Sequence, residues 1–219
     1  MIFGLDEREE RILRRLKTPR KIQDFLNKIP INFEEKGDTC MSPATVLRKW
    51  KAHCIEGAML AALCLRLQGK KPLVVDLTAS KKDFDHVICV FKEKRRWGAI
   101  SKTNHAVLRY REPIYKDIRE LVMSFFHEYF DDNGRKNLRS YSLPVNLSRF
   151  DKLNWAASEE DVWFVADFLA DVNHHQILTK SQIAKLRKAD DIEIEAGKLT
   201  EWRQFGRHDE LPENEDKGR

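Results

Sequence analysis

The sequence predicts an α+β fold, with helices flanking one small antiparallel sheet. Three observations predict it. Residues 54–68 run as an Ala/Leu/Met-rich helical pattern that stops at Gly69 and Pro72. Three short strand-like segments follow directly, 72–79, 86–92 and 97–101, and the last two are joined by 93–96 alone, which makes them a hairpin. Before and after this block the apolar residues recur at helical spacing.

Ile12, Leu13 and Leu16 form one helical stripe, and Ile22, Phe25, Leu26 and Ile29 form a second. Thr18-Pro19 separates them as an N-cap followed by a first helical position, and Pro30 ends the second helix. Ser42-Pro43 repeats that start for a short helix carrying Val46, Leu47 and Trp50. Past the hairpin, 114–130 reads as one amphipathic helix with Ile118, Leu121, Val122, Phe125, Phe126 and Tyr129 on its stripe, and 138–150 reads as loop. Ser158, followed by Glu159, Glu160 and Asp161, starts a helix bearing Trp163, Phe164, Phe168 and Leu169, and Thr179 with Gln182 starts another. The division expected is a core with N-terminal helices over 1–150, a helical extension over 151–205 and a disordered tail over 206–219.

The chain has 219 residues, 42% hydrophobic and 34% charged, enough for one substantial core. Its net charge of +5 comes from 40 basic and 35 acidic residues that alternate, rather than from a basic face. Nucleic acid is therefore a poor candidate partner, with 102–111 (Arg109, Arg111) its best segment. No apolar run approaches the ~20 residues that span a bilayer, and the N-terminus lacks the pattern of a secretion signal. The expectation is a cytoplasmic protein with no membrane contact; nothing in the sequence sets an oligomeric state.

Cysteines 40, 54, 64 and 89 form no CxxC pair, so reduced thiols are expected. Cys40, His53, Cys54, His86 and Cys89 lack the spacing of zinc ligands, and neither a metal nor another cofactor is implied. Cys54 stands apart because it opens the strongest helix. A helix N-terminus offers free N–H groups and partial positive charge, which favour the nucleophilic thiolate and can receive an oxyanion. His86, at the start of the second predicted strand, is the candidate base. Glu56, in the first helical turn, reads as a cap.

The segments His53-Cys54-Ile55-Glu56-Gly57-Ala58, Asp85-His86-Val87-Ile88-Cys89-Val90-Phe91 and Trp97-Gly98-Ala99-Ile100-Ser101 resemble, in order and spacing, the transglutaminase-like superfamily of papain-like cysteine enzymes. The resemblance covers roughly 50–104. It implies a papain-like core and a cysteine-dependent hydrolase or acyltransferase acting on an amide bond of a peptide or protein. In that family the residue four places after the third-strand Trp is an Asp, and here it is Ser101. Ser101 or Asn104 is therefore the candidate to orient His86, with Asp85 and Asp76 as further candidates. Trp50, His53, Asp85 and Trp97 are expected along the substrate cleft. The missing Asp also admits a catalytically inactive module that binds a peptide or protein partner in the same cleft.

Overall fold

A computed structural model describes residues 3–81 and 83–202, so the tail expected over 206–219 lies outside the described residues. Helices α1 (Glu7–Arg14), α2 (Pro19–Leu26) and α3 (Pro43–Lys49) start on the side chains of Asp6, Thr18 and Ser42, each of which accepts from the N–H three residues on. Trp50 then takes a left-handed conformation (φ 52°), which ends α3 and turns the chain toward α4 (Cys54–Leu67). Residues Ile55 to Leu65 of α4 are all buried, as expected for a helix apolar on every side.

After α4 come β1 (Leu73–Ala79), β2 (His86–Glu93), β3 (Arg96–Ile100), β4 (Arg111–Tyr115), α5 (Ile118–Met123), β5 (Leu138–Ser142), β6 (Val145–Asn146), α6 (Trp163–Asp171), β7 (His174–Gln176), α7 (Lys180–Ala184) and α8 (Asp191–Gly197). The strands form one sheet in the order β4-β3-β2-β1-β5-β7, with β6 also pairing β1, and every pairing is antiparallel. Val87, Cys89 and Phe91 pack in the core that contains α4, while Ile88 and Val90 pack in a second core with Leu121, Val122 and Phe125. Coverage on both faces explains why β2 reads as an unbroken apolar run.

The sheet is larger than the three strands predicted. The helix expected over 114–130 is replaced by edge strand β4, by α5 and by a 3-10 turn at Phe126–Glu128. Tyr115 pairs with Trp97 across β4 and β3, and Asp117 caps α5, so the helix cannot begin at 114. Pro113 is tolerated because β4 is an edge strand. The predicted stripe nevertheless faces inward, since Ile118, Leu121, Val122, Phe125, Phe126 and Tyr129 are all buried.

The expected loop over 138–150 holds β5, β6 and the start of a 3-10 segment, Leu147–Leu153. Strands this short leave almost no periodic pattern. The helix expected to start at Ser158 begins instead at Trp163. The Ser158 carbonyl accepts from the hydroxyls of Ser42 and Thr45, and the Val162 N–H donates to Cys40, which ties this stretch to the start of α3. Within 151–202 the chain supplies α6, α7 and α8, and also the edge strand β7. Among the described residues no helix is long and apolar enough to cross a membrane.

Candidate active site

Cys54 occupies the first position of α4, behind His53 in an extended N-cap conformation. Two features hold that corner. The Ala52 N–H donates to Pro30 and the Asn32 N–H to Ala52, so residues 30–32 run as a short parallel bridge beside it. Glu56, with no exposed surface, accepts from the His53 N–H at 2.9 Å, the Met41 N–H at 2.9 Å and the Thr39 hydroxyl at 2.8 Å, and from Asn32 Nδ2 at 3.3 Å. Burial works against its charge, but its bonds with His53 and these backbone donors hold the carboxyl below its ordinary range. Glu56 is the N-terminal cap that the sequence suggests, and it is also the anchor of the loop over 32–41.

Cys54, His53 and His86 line one cleft of about 520 Å³, together with Phe33, Phe84, Val107 and other side chains. Both imidazoles act on the Cys54 thiol, by hydrogen bonding and by charge. Burial pushes the thiol up, but the bonds from His53 and His86, with their charge, reverse it and bring it down to about 5. The other three cysteines contrast with it. Cys40, Cys64 and Cys89 are fully buried and their thiols are pushed up, mainly by burial, so they stay neutral. Among the described residues no cluster of three or more His, Cys, Asp or Glu is arranged to hold a metal ion.

His86 is oriented by Ser101, which lies one residue beyond β3. His86 Nε2 is 2.8 Å from Ser101 Oγ, and that hydroxyl donates its own proton to the Leu108 carbonyl at 2.6 Å. Ser101 Oγ can therefore only accept from His86, so Nε2 carries a proton and Nδ1 is the nitrogen left for Cys54. Gln23 of α2 fixes Ser101 in turn, accepting from its N–H at 2.9 Å and donating to its carbonyl at 2.8 Å. Leu108, held in a left-handed conformation (φ 59°), donates its N–H to Glu128, which Arg111 clamps at 2.6 Å. Nothing local in the sequence marks Gln23, Leu108, Glu128 or Arg111 as supports of the site.

The other predicted residues do not orient His86, although Asn104 and Asp85 line the same cleft. The Asn104 side-chain amide makes two bonds to the Trp202 backbone, donating to its carbonyl and accepting from its N–H, both at 2.9 Å, so it holds the C-terminal segment rather than His86. Asp76 pairs with His174 Nε2 at 2.9 Å, and burial above all raises its carboxyl to about 6. Asp85 lines the cleft, yet its carboxylate accepts from the Ala79 N–H. Trp50 lies outside the cleft lining, with its ring edge-on to Phe25 at 5.5 Å. Trp97 packs with the second core under Lys92 Nζ, 4.3 Å from its ring centre. Arg109 and Arg111, the bases of the candidate nucleic-acid segment, are paired with Glu201 and Glu128.

Lys102 was not anticipated by the sequence. Its ammonium is buried and donates to the Leu26 carbonyl, at the end of α2, at 3.2 Å and to the Ile29 carbonyl just beyond it. Burial lowers its pKa to about 8. The chain at Lys102 presses so closely on α4 that only glycine fits at position 57.

The chain matches no family model, and no curated protein matches it.

Proposed function

We propose that this chain is a cysteine-dependent hydrolase or acyltransferase that acts on an amide bond of a peptide or protein, on a transglutaminase-like, papain-like core. The observation that carries the reading is Cys54 at the first position of α4, in one cleft with His53 and His86, whose imidazoles lower its thiol. In the reaction proposed, the thiolate attacks the amide carbonyl carbon and the oxyanion forms beside the N–H groups of the first turn of α4. As the C–N bond breaks, His86 gives a proton to the departing amine and leaves a thioester on Cys54. Water or a second amine then attacks the thioester, His86 takes the proton back, and the thiolate is restored.

Iodoacetamide tests the nucleophile without a substrate. At pH 6–7 it should alkylate Cys54 much faster than a free thiol of ordinary pKa, about 8.5. His86→Ala should slow alkylation and abolish any amide cleavage. An alkylation rate equal to that of a free thiol would sink the reading.

A second reading rests on Ser101. A hydroxyl orients a neutral imidazole but lends no negative charge to imidazolium, which would suit a catalytically silent module holding a peptide or protein partner in the same cleft. Peptide libraries with electrophilic esters separate the two. Acylated Cys54 in the mass spectrum supports the enzyme, and binding without acylation supports the module.

A further inference from the structure

We propose that the carboxylates absent from behind His86 act instead behind His53, so that Glu56 and Glu34 hold His53 as a permanent imidazolium that keeps Cys54 ionised while His86 moves the protons. The inference rests on Cys54 being the nucleophile and assigns the neighbouring histidine a role of its own.

The geometry around His53 carries it. Nε2 faces only acceptors: the Thr39 carbonyl at 2.9 Å, Glu56 at 3.3 Å and Glu34 at 3.5 Å. No lone pair is tolerable on that nitrogen, so it bears a proton in every state, and the two carboxylates beside it favour a second proton on the ring. Glu56 cannot turn away, because Met41, Thr39, Asn32 and the His53 N–H hold its oxygens. His86 has the opposite environment, with one neutral hydroxyl behind it.

Other titratable groups reach the pair from the elements packed around it, and Asp76 opposes the thiolate while favouring the imidazolium. The loop over 32–41 brings Glu34 and Cys40, and Cys40 remains a neutral thiol. Strand β2 brings His86, while Asp76 of β1 and Tyr129 act at longer range, Asp76 partly neutralised by His174. Burial lowers the affinity of His53 for its second proton, but its bonds with Cys54 and Glu56 outweigh that and raise it to about 11. His53 therefore gives up no proton during the proposed cycle. The proton that reaches the departing amine leaves His86 Nδ1, and the proton taken from water or amine returns there.

The test reads the thiol rather than turnover. Cys54 alkylation by iodoacetamide is followed by peptide mass spectrometry between about pH 4 and 9 in the wild type, His53→Gln, Glu34→Gln and His86→Gln, with circular dichroism as the check on folding. The wild-type midpoint should lie near about 5. His53→Gln should move it up by more than about 1.5 units, a loss that approaches roughly 30-fold in thiolate at pH below the wild-type midpoint. Glu34→Gln, on a partly exposed loop, should move it upward by less, and reports the same effect if His53→Gln does not fold. His86→Gln should leave more thiolate at pH 6 than His53→Gln does. A wild-type midpoint near 5 that persists in folded His53→Gln, or in Glu34→Gln where His53→Gln does not fold, overturns the role of His53 alone. A wild-type midpoint at the ordinary thiol value overturns the reading of Cys54 itself.

Discussion

Replacing Gly57 by alanine should destabilise the protein, although helix propensity alone predicts a gain. Gly57 sits inside α4, where alanine is favoured by about 1 kcal/mol over glycine. A Cβ at this position, however, would lie 2.4 Å from Lys102 Cβ and 2.9 Å from Lys102 Cγ. These atoms belong to the root of a buried side chain whose ammonium is tied to the carbonyls of Leu26 and Ile29, so a rotamer change cannot clear them. The backbone at 101–102 must shift. Overpacking of this kind costs about 1–3 kcal/mol, and contact with the root of the side chain belongs at the upper end of that range. Subtracting the propensity gain leaves a net loss of about 1–2 kcal/mol. With a urea dependence of about 2 kcal/mol per molar, the unfolding midpoint should fall by about 0.5–1 M. Ser101 is the preceding residue, so the same shift should pull its hydroxyl from His86 and slow Cys54 alkylation. A Gly57→Ala variant as stable as the wild type, or more so, would refute the close packing of Lys102 on α4.

Three further predictions follow from the same contacts. Ser101→Ala removes the hydroxyl that His86 Nε2 and the Leu108 carbonyl share, leaving two buried polar groups without a partner; urea unfolding should show a loss of about 1–3 kcal/mol, and a loss under about 0.5 kcal/mol would count against the bridge. Asn104→Ala should speed hydrogen exchange at Trp202, whose N–H bonds the Asn104 side chain, and leave the Cys54 alkylation rate within about twofold; a tenfold drop would return Asn104 to the site. Stability should also depend on pH through Cys54 and His53. The Cys54 value is lowered to about 5, so its stabilisation is complete above the unfolded thiol value of about 8.5 and is lost as pH falls through about 5. The His53 value is raised to about 11, so its contribution is complete below about 6.5 and is lost as pH rises through about 11. The stability difference between wild type and Cys54→Ser, from urea midpoints, should thus shrink as pH drops from about 7 to 4; a constant difference would contradict the ionised pair.

The parts of the molecule legible from the sequence are those set by short-range physics. The caps Thr18-Pro19 and Ser42-Pro43 and the apolar run after Cys54 are local patterns, and they mark the starts of α2, α3 and α4, whereas α2 ends at Leu26, short of the stop expected at Pro30. The same holds for the hairpin of β2 and β3, whose short connection leaves no other pairing. Legible too is that Cys54 leads a helix and His86 leads a strand, because each stands at the edge of such a pattern. Four strands escaped it: β4, β5, β6 and β7 are five residues or fewer and owe their pairing to the sheet rather than to their own composition. Tertiary structure alone chose the partners. Gln23 reaches Ser101 across 78 positions and Asn104 reaches Trp202 across 98, distances over which no spacing in a sequence carries information. It also decided which histidine has carboxylates behind it. From the sequence, Cys54 has one histidine in order and an Asp missing; folding brings the loop over 32–41 against the start of α4 and gives His53 the negative neighbours that His86 lacks.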